Sequence, residues 1–159
     1  MTAQADAEVL LVEDNPKEID LTMYTLQREN LVTHVQILHD GEEALDYLFC
    51  RGAFARRSFD QPPRLVLLDL NLPKVSGLEV LQRIKGDDRT KTIPVVILTA
   101  SQKEQDLVRG YDYGANSYIR KPVDFGQFSS MLKTLGVYWL QVNRAPVRNH
   151  SALAPGEKS

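Results

Sequence analysis

Four short apolar runs punctuate the chain: Val9-Leu10-Leu11-Val12, Val35-Gln36-Ile37-Leu38, Leu65-Val66-Leu67-Leu68 and Val95-Val96-Ile97-Leu98, with a weaker fifth at Ser117-Tyr118-Ile119. Their length suits β-strands. The first, third and fourth are apolar at every position rather than at alternate ones, which is the pattern of strands covered on both faces, as in a parallel sheet. Helices must then lie on both sides. Between the runs, apolar residues return at helical spacing as Ile19, Met23, Leu26; Ala44, Leu45, Leu48, Phe49; Leu78, Leu81, Ile84; and Phe125, Phe128, Leu132, Leu135, Trp139. Each intervening segment also opens with a short polar residue three positions before Glu or Gln: Asn15 with Glu18, Asp40 with Glu43, Ser76 with Glu79, Ser101 with Glu104, and Asp124 with Gln127. In such a capping box each partner satisfies a backbone amide that the first helical turn leaves orphaned. Pro16 takes the favoured first helical position. Strands alternating with helices, joined by right-handed crossovers, predict an α/β fold with a doubly wound, five-stranded parallel sheet.

A length of 159 residues allows one domain, and folding at that size buries enough surface that neither a disulfide nor a structural metal is needed. Cys50 is the only cysteine, and His34, His39 and His150 have no ligand-like spacing, so a cysteine- or histidine-based metal cluster is excluded. A reducing cytoplasm is the expected compartment. The 19 basic and 21 acidic residues leave a formal charge of −2, which removes the electrostatic case for direct nucleic-acid binding. No apolar run is long enough to span a membrane, and the polar first residues do not form a signal peptide. Residues 1–7 are expected to be a flexible leader and the polar stretch 144–159 a disordered tail, leaving 8–143 as the domain. An enlarged loop, 51–64, precedes the third strand and carries Phe54, Phe59 and the Pro62-Pro63 pair. It reads either as a tolerated surface loop or as a partner-contacting element that exposes Arg56 and Arg57.

In open parallel sheets, ligands bind beyond the carboxyl ends of the strands, where neighbouring crossovers diverge. The first strand ends in Glu13-Asp14 and the third in Asp69, followed by Leu70-Asn71-Leu72-Pro73. Adjacent strands would bring these carboxylates into one cleft, where they repel unless a cation or proton compensates. A hard, oxygen-lined magnesium site satisfies that demand. The alternative is that the acids merely cap helices. The fourth strand ends in Thr99-Ala100-Ser101 and the fifth leads to Lys121-Pro122. A hydroxyl and an ammonium facing the same cleft, together with the cation, make a pocket for a tetrahedral dianion.

Glu13-Asp14, Asp69, the turn from Leu72-Pro73 to Gly77, Thr99-Ala100 and Lys121-Pro122 together resemble the signatures of the receiver domain of two-component response regulators, the CheY-like family. The resemblance covers residues 8 to about 140. It implies a flavodoxin-like (βα)5 fold with strand order 2-1-3-4-5, in which Asp69 accepts a phosphoryl group from a histidine kinase. It further implies Mg2+, replaceable by Mn2+, held by Asp14, Asp69 and the Asn71 main-chain carbonyl, with Glu13 acting through water. Thr99 and Lys121 would bind the phosphoryl oxygens, and Tyr118 would be the aromatic switch that turns inward when Thr99 moves. Glu13 departs from the Asp common in the family. A protein of this kind turns over no separate substrate and signals by phosphorylation-dependent contacts with a downstream protein.

The loop 51–64, the string from Leu68 to Lys74 and the Tyr138-Trp139-Leu140 ending resemble the single-domain regulators paired with bacterial and cyanobacterial phytochrome kinases. The apolar stripe of the last helix runs through Trp139 toward Val142, an extension of the C-terminal helix to roughly 28 Å at the standard rise. Tyr138, Trp139 and Val142 near its end suit a homodimer interface, although Gly136 costs that helix about 1 kcal/mol. Two rivals remain at this point. A haloacid-dehalogenase-type phosphohydrolase also uses a strand-end Asp and magnesium, but needs a second acid where Asn71 stands. A flavodoxin-like FMN protein needs a phosphate loop where Glu13-Asp14 would repel the ligand.

Overall fold

The computed structural model describes residues 7–32 and 34–146. Residues 1–6 of the expected leader and 147–159 of the expected tail lie outside the described residues. Ala7, placed in the leader by the sequence, is buried, and its amide donates to the Tyr47 hydroxyl. Ala7 is thus packed with the domain.

The strands are β1 (Val9–Val12), β2 (Val35–Leu38), β3 (Leu65–Leu68), β4 (Val95–Thr99) and β5 (Ser117–Arg120), all parallel, in the order β2-β1-β3-β4-β5. The helices between them are α1 (Pro16–Arg28), α2 (Gly41–Leu48), α3 (Gly77–Lys85), α4 (Glu104–Asp112) and α5 (Phe125–Val137). The three all-apolar strands are the central ones. Alternate residues serve opposite layers: Val9, Leu11, Leu65, Leu67, Val96 and Leu98 join Leu26 of α1 and Phe128, Leu132 and Leu135 of α5. Leu10, Val12, Val66, Leu68, Val95 and Ile97 join Leu45 and Leu48 of α2 and Val80, Leu81 and Ile84 of α3. Each such side chain withdrawn from water contributes about 1.5–3 kcal/mol, so register in the central strands is strongly specified.

Of the five expected capping boxes, four form their N-cap half, while the Asn15 amide goes to Glu13 rather than Glu18 and Glu43 takes the His39 amide rather than that of Asp40. Asn15, Asp40, Ser76 and Asp124 accept the amides of Glu18, Glu43, Glu79 and Gln127, respectively. Ser101 does not cap α4, which starts only at Glu104; its hydroxyl instead donates to Asp106 at 2.6 Å. The loop 51–64 folds onto the domain around Arg57, whose guanidinium lies 3.8 Å from the Tyr47 ring centroid and donates to the Tyr47 and Gln61 carbonyls. Arg57 is thus a clamp on the loop rather than an exposed contact, while Arg56 is exposed. The last helix does continue past α5, but as a π-turn over Tyr138–Val142 that closes with the Asn143 amide on the Tyr138 carbonyl. Gly136 does not break it. An added methyl there would sit 2.7 Å from Leu31 Cδ1, so glycine lets α5 approach the segment after α1 closely.

Candidate functional site

Parallel register delivers the candidate residues to one edge of the sheet. Val12 pairs with Leu68, so the residues that follow them, Glu13 and Asp69, emerge side by side, and the Asp69 amide extends the ladder to the Val12 carbonyl at 3.1 Å. On the other flank Thr99 pairs with Arg120, and the Lys121 amide donates to the Thr99 carbonyl at 2.8 Å. These pairings place Glu13, Asp14, Asp69, Thr99 and Lys121 around one cleft where β1 and β3 separate the crossovers, the position expected for ligand chemistry in such sheets.

The cleft is acidic and only partly open. Glu13 and Asp69 are buried, Asp14 is exposed, and each offers an oxygen within 4.8 Å of the others'. Asp69 Oδ1 accepts the Leu70 amide at 2.8 Å, which fixes the rotation of its carboxylate. The Lys121 ammonium, with a side chain only 6% exposed, donates to Glu13 Oε1 and Glu18 Oε2, both at 2.7 Å, and stands 3.9 Å from Asp69 Oδ2. Burial pushes the Glu13 carboxyl up to about 7, the Lys121 hydrogen bond acting against this and the Asp69 charge reinforcing it. Burial also raises Asp69, against the charge of Lys121 and the amides of Asn71 and Leu70. Burial works to lower the pKa of Lys121, but its hydrogen bonds to Glu13 and Glu18 outweigh it and hold the ammonium charged. A single ammonium cannot neutralise this many carboxylates, so the site is short of positive charge. Three converging oxygen donors, one of them open to solvent, fit a hard divalent cation.

Thr99 is fully buried, and its Oγ1 accepts the Ser101 amide at 3.2 Å. Tyr118, on the neighbouring strand, packs against Gly110 of α4, where an added methyl would lie 2.9 Å from Cδ2. Among the described residues its buried hydroxyl makes at most a weak hydrogen bond with Ser101, and burial together with the Asp106 charge raises its pKa against that contact. Asn71 is exposed, two residues past Asp69. Among the described residues, Glu18 joins the cleft through Lys121, a role the sequence did not assign because it read Glu18 only as a capping-box partner. The Asn15 amide that Glu18 would have satisfied goes to Glu13 Oε2 at 3.2 Å instead. The available signal was an acid in the first turn of the helix that begins beside the strand-end acids.

Comparison with known proteins gives a consistent result. The model of the response regulator receiver domain matches residues 9–133. The probable methanogenesis regulatory protein FilR2 of Methanothrix harundinacea is 43% identical over 138 residues, spanning 87% of this chain and 86% of that protein. Response regulator Rcp1 of Synechocystis is 35% identical over 138 residues, spanning 87% of this chain and 92% of Rcp1. The crystal structure of the Mn(2+)-bound form of Rcp1 superposes with a TM-score of 0.82 at 34% identity, covering 89% of this chain and 99% of that one. That of the phosphorylated cyanobacterial phytochrome response regulator RcpA gives the same TM-score of 0.82 at 39% identity, with the same coverage of 89% and 99%. These matches decide between the readings that the strand-end acids left open: the phosphohydrolase and flavin-binding alternatives fall away, and the chain belongs to the response regulator receiver domain family.

Proposed function

We propose that Asp69 is the phosphoacceptor of this receiver domain. The observation that carries the reading is the meeting of buried Asp69, its carboxylate rotation fixed by the Leu70 amide, with Lys121 at 3.9 Å and an acidic cluster suited to a divalent cation. An Asp69 carboxylate oxygen attacks the phosphorus of a phosphohistidine on the kinase. The O–P bond forms as the P–N bond breaks, and the electron pair leaves with the imidazole nitrogen, which takes up a proton. Lys121 and the Thr99 hydroxyl receive the phosphoryl oxygens. Asp14, Asp69 and the Asn71 main-chain carbonyl would hold Mg2+ or Mn2+, with Glu13 acting through water, and a cation bound there would supply charge stabilisation to the phosphoryl oxygens. Glu13 suits an outer role, because both of its oxygens are already engaged, one with Lys121 and the other with the Asn15 amide.

As Thr99 moves toward the phosphoryl group Tyr118 turns inward, its hydroxyl giving up at most a weak contact with Ser101. The surface of α4 and β5 then changes, and a downstream protein reads it. The chain turns over no separate substrate, and it acts in the cytoplasm beside its kinase. Its likeness to RcpA favours a phytochrome-type histidine kinase as that partner. Exposed Tyr138 and Val142, with Trp139 stacked edge-on against Tyr138, favour a homodimer through the end of α5 and the π-turn. Phosphotransfer from acetyl phosphate in Mg2+ tests the site: wild type is expected to label and Asp69→Asn not. Equal labelling of the two proteins refutes the assignment. Sedimentation at micromolar concentration tests the dimer, and a single 18.0 kDa species with and without phosphorylation refutes it.

A further inference from the structure

The three N–H donors of Lys121 are unequally spent. Two go to Glu13 and Glu18 at 2.7 Å, while Asp69 at 3.9 Å is beyond hydrogen-bonding distance. The ammonium is thus turned toward the β1–α1 side of the cleft, away from the carboxylate that its phosphoryl role requires it to face. Glu18 stands in the first turn of α1, where an acid suits the helix dipole, but that role does not require its reach to Lys121. It does not close the capping box, because Glu13 takes the Asn15 amide, and Asn15 Oδ1 caps the helix without help from the Glu18 side chain.

The two carboxylates that hold Lys121 differ in their access to water. The Glu13 side chain is 5% exposed and the Glu18 side chain 32% exposed. A buried carboxylate that loses its ammonium is stranded without solvation, whereas a carboxylate at the rim is rehydrated as the contact opens. When a phosphoryl oxygen competes for Lys121, Glu18 is the partner that can give way. Glu13 stays bonded and keeps the ammonium in the site.

We infer that Glu18 is a positioning residue that holds Lys121 back from Asp69 in the unphosphorylated protein and releases it when a phosphoryl group arrives. The inference rests on the assignment of Asp69 and Lys121 above. It has an asymmetric kinetic consequence. The Glu18 contact stabilises the unphosphorylated state alone, because Lys121 already faces the phosphoryl group both in the aspartyl phosphate and in the transition state. Removing the contact raises the rate of phosphorylation and leaves the rate of hydrolysis in place.

The test compares wild type, Glu18→Gln, Asp20→Asn and Asp69→Asn. Asp20 is exposed on the same helix, so Asp20→Asn removes an equal charge without touching Lys121. With acetyl phosphate and Mg2+, Glu18→Gln is expected to label about fivefold faster than wild type, the scale of a partly exposed ion pair. After donor removal its phosphoryl group is expected to decay within about twofold of the wild-type rate. Beryllofluoride, a stable stand-in for the phosphoryl group, is expected to bind Glu18→Gln about fivefold tighter, with Mg2+ affinity unchanged and the melting temperature lowered by no more than about 4 °C. Asp20→Asn is expected to match wild type throughout. An unchanged labelling rate in Glu18→Gln overturns the inference, as does equal acceleration of labelling and decay, or an equal gain in Asp20→Asn. A lowered melting temperature with slower labelling also overturns it and assigns Glu18 to the fold. If Asp69→Asn labels, the site assignment beneath the inference fails; if Asp69→Asn does not label while Glu18→Gln labels at the wild-type rate, the inference alone fails.

Discussion

Replacing Gly77 with alanine puts a methyl group where the backbone leaves no room for one. Gly77 opens α3 and is buried against the end of β3. A Cβ there would lie 2.1 Å from the Asp69 carbonyl oxygen and 2.6 Å from Leu70 Cα. Neither atom belongs to a flexible side chain. The Asp69 amide is tied to the Val12 carbonyl at 3.1 Å, and the Gly77 amide to the Leu70 carbonyl at 3.0 Å, so relief requires α3 or the Asp69–Leu70 peptide to move. Ordinary contact needs more than about 3 Å, which sets the displacement at about 1 Å. Val80, Leu81 and Ile84, all fully buried, carry α3 against the sheet, and a 1 Å gap at that layer forfeits about a quarter to a half of their contact energy. The expected loss is about 3 kcal/mol, at the upper end for overpacking, and about 6–12 °C in melting temperature for a domain of this size. Urea denaturation followed by circular dichroism reads the first quantity, and acetyl phosphate labelling reads the displacement of Asp69. Gly41→Ala is the companion variant, since its methyl would meet the Val75 carbonyl oxygen at 1.9 Å, away from Asp69. Gly77→Ala should lose labelling far more than Gly41→Ala at similar cost in stability. A loss under about 1 kcal/mol in Gly77→Ala with unchanged labelling would falsify the close-contact argument.

Three further outcomes are expected. Arg57→Ala removes the cation–π contact with Tyr47 and the bonds to two carbonyls, so thermolysin should cut near Phe54 or Phe59 faster and stability should fall by about 1–2 kcal/mol; unchanged cleavage argues against the clamp. Leu132→Ala empties a fully buried position of α5 and should cost about 2–5 kcal/mol by urea denaturation, with labelling retained in the folded fraction. In EDTA the folded state holds a proton on Glu13 up to about pH 7 that the unfolded chain releases near 4.5, so this group's stabilisation is full below pH 4.5 and lost as pH rises to 7. The fall should amount to about 2–3 kcal/mol in urea midpoints, should flatten in Glu13→Gln, and should shrink in Mg2+ as the cation replaces the proton; a flat profile in EDTA counts against it.

The sheet was legible because its central strands are buried on both faces. An unbroken apolar run has one comfortable home in a soluble domain, and β1, β3 and β4 occupy it. The helices were legible where burial uses hydrocarbon and less so where it does not. On α1 the buried residues are Thr22, Thr25 and Leu26, while Ile19 and Met23 are only partly covered. Thr25 enters the core because its hydroxyl bonds the Leu21 carbonyl and the Ser129 hydroxyl, both at 3.0 Å, and no apolar stripe announces such a pairing. Helix α4 buries only Gly110, so its start rested on the Ser101 cap alone, and that hydroxyl was claimed by Asp106.

The site divides along the same line. Strand-end positions follow from register, which is why Glu13, Asp69, Thr99 and Lys121 could be placed from four short runs. The partner of a long side chain does not follow from register. Lys121 reaches Glu18, a residue separated from it by 103 positions, only because α1 begins over the cleft and Glu13 takes the Asn15 amide that would have drawn Glu18 back. The near-neutral charge of the whole chain conceals this local imbalance, in which Glu13, Glu18 and Asp69 surround one ammonium and Asp14 waits at the rim. That imbalance is itself the functional statement. On the proposed assignment of Asp69, a cleft held together by one overcommitted lysine would favour a divalent cation, and an arriving phosphoryl group would have to draw the lysine from the carboxylate with the best access to water.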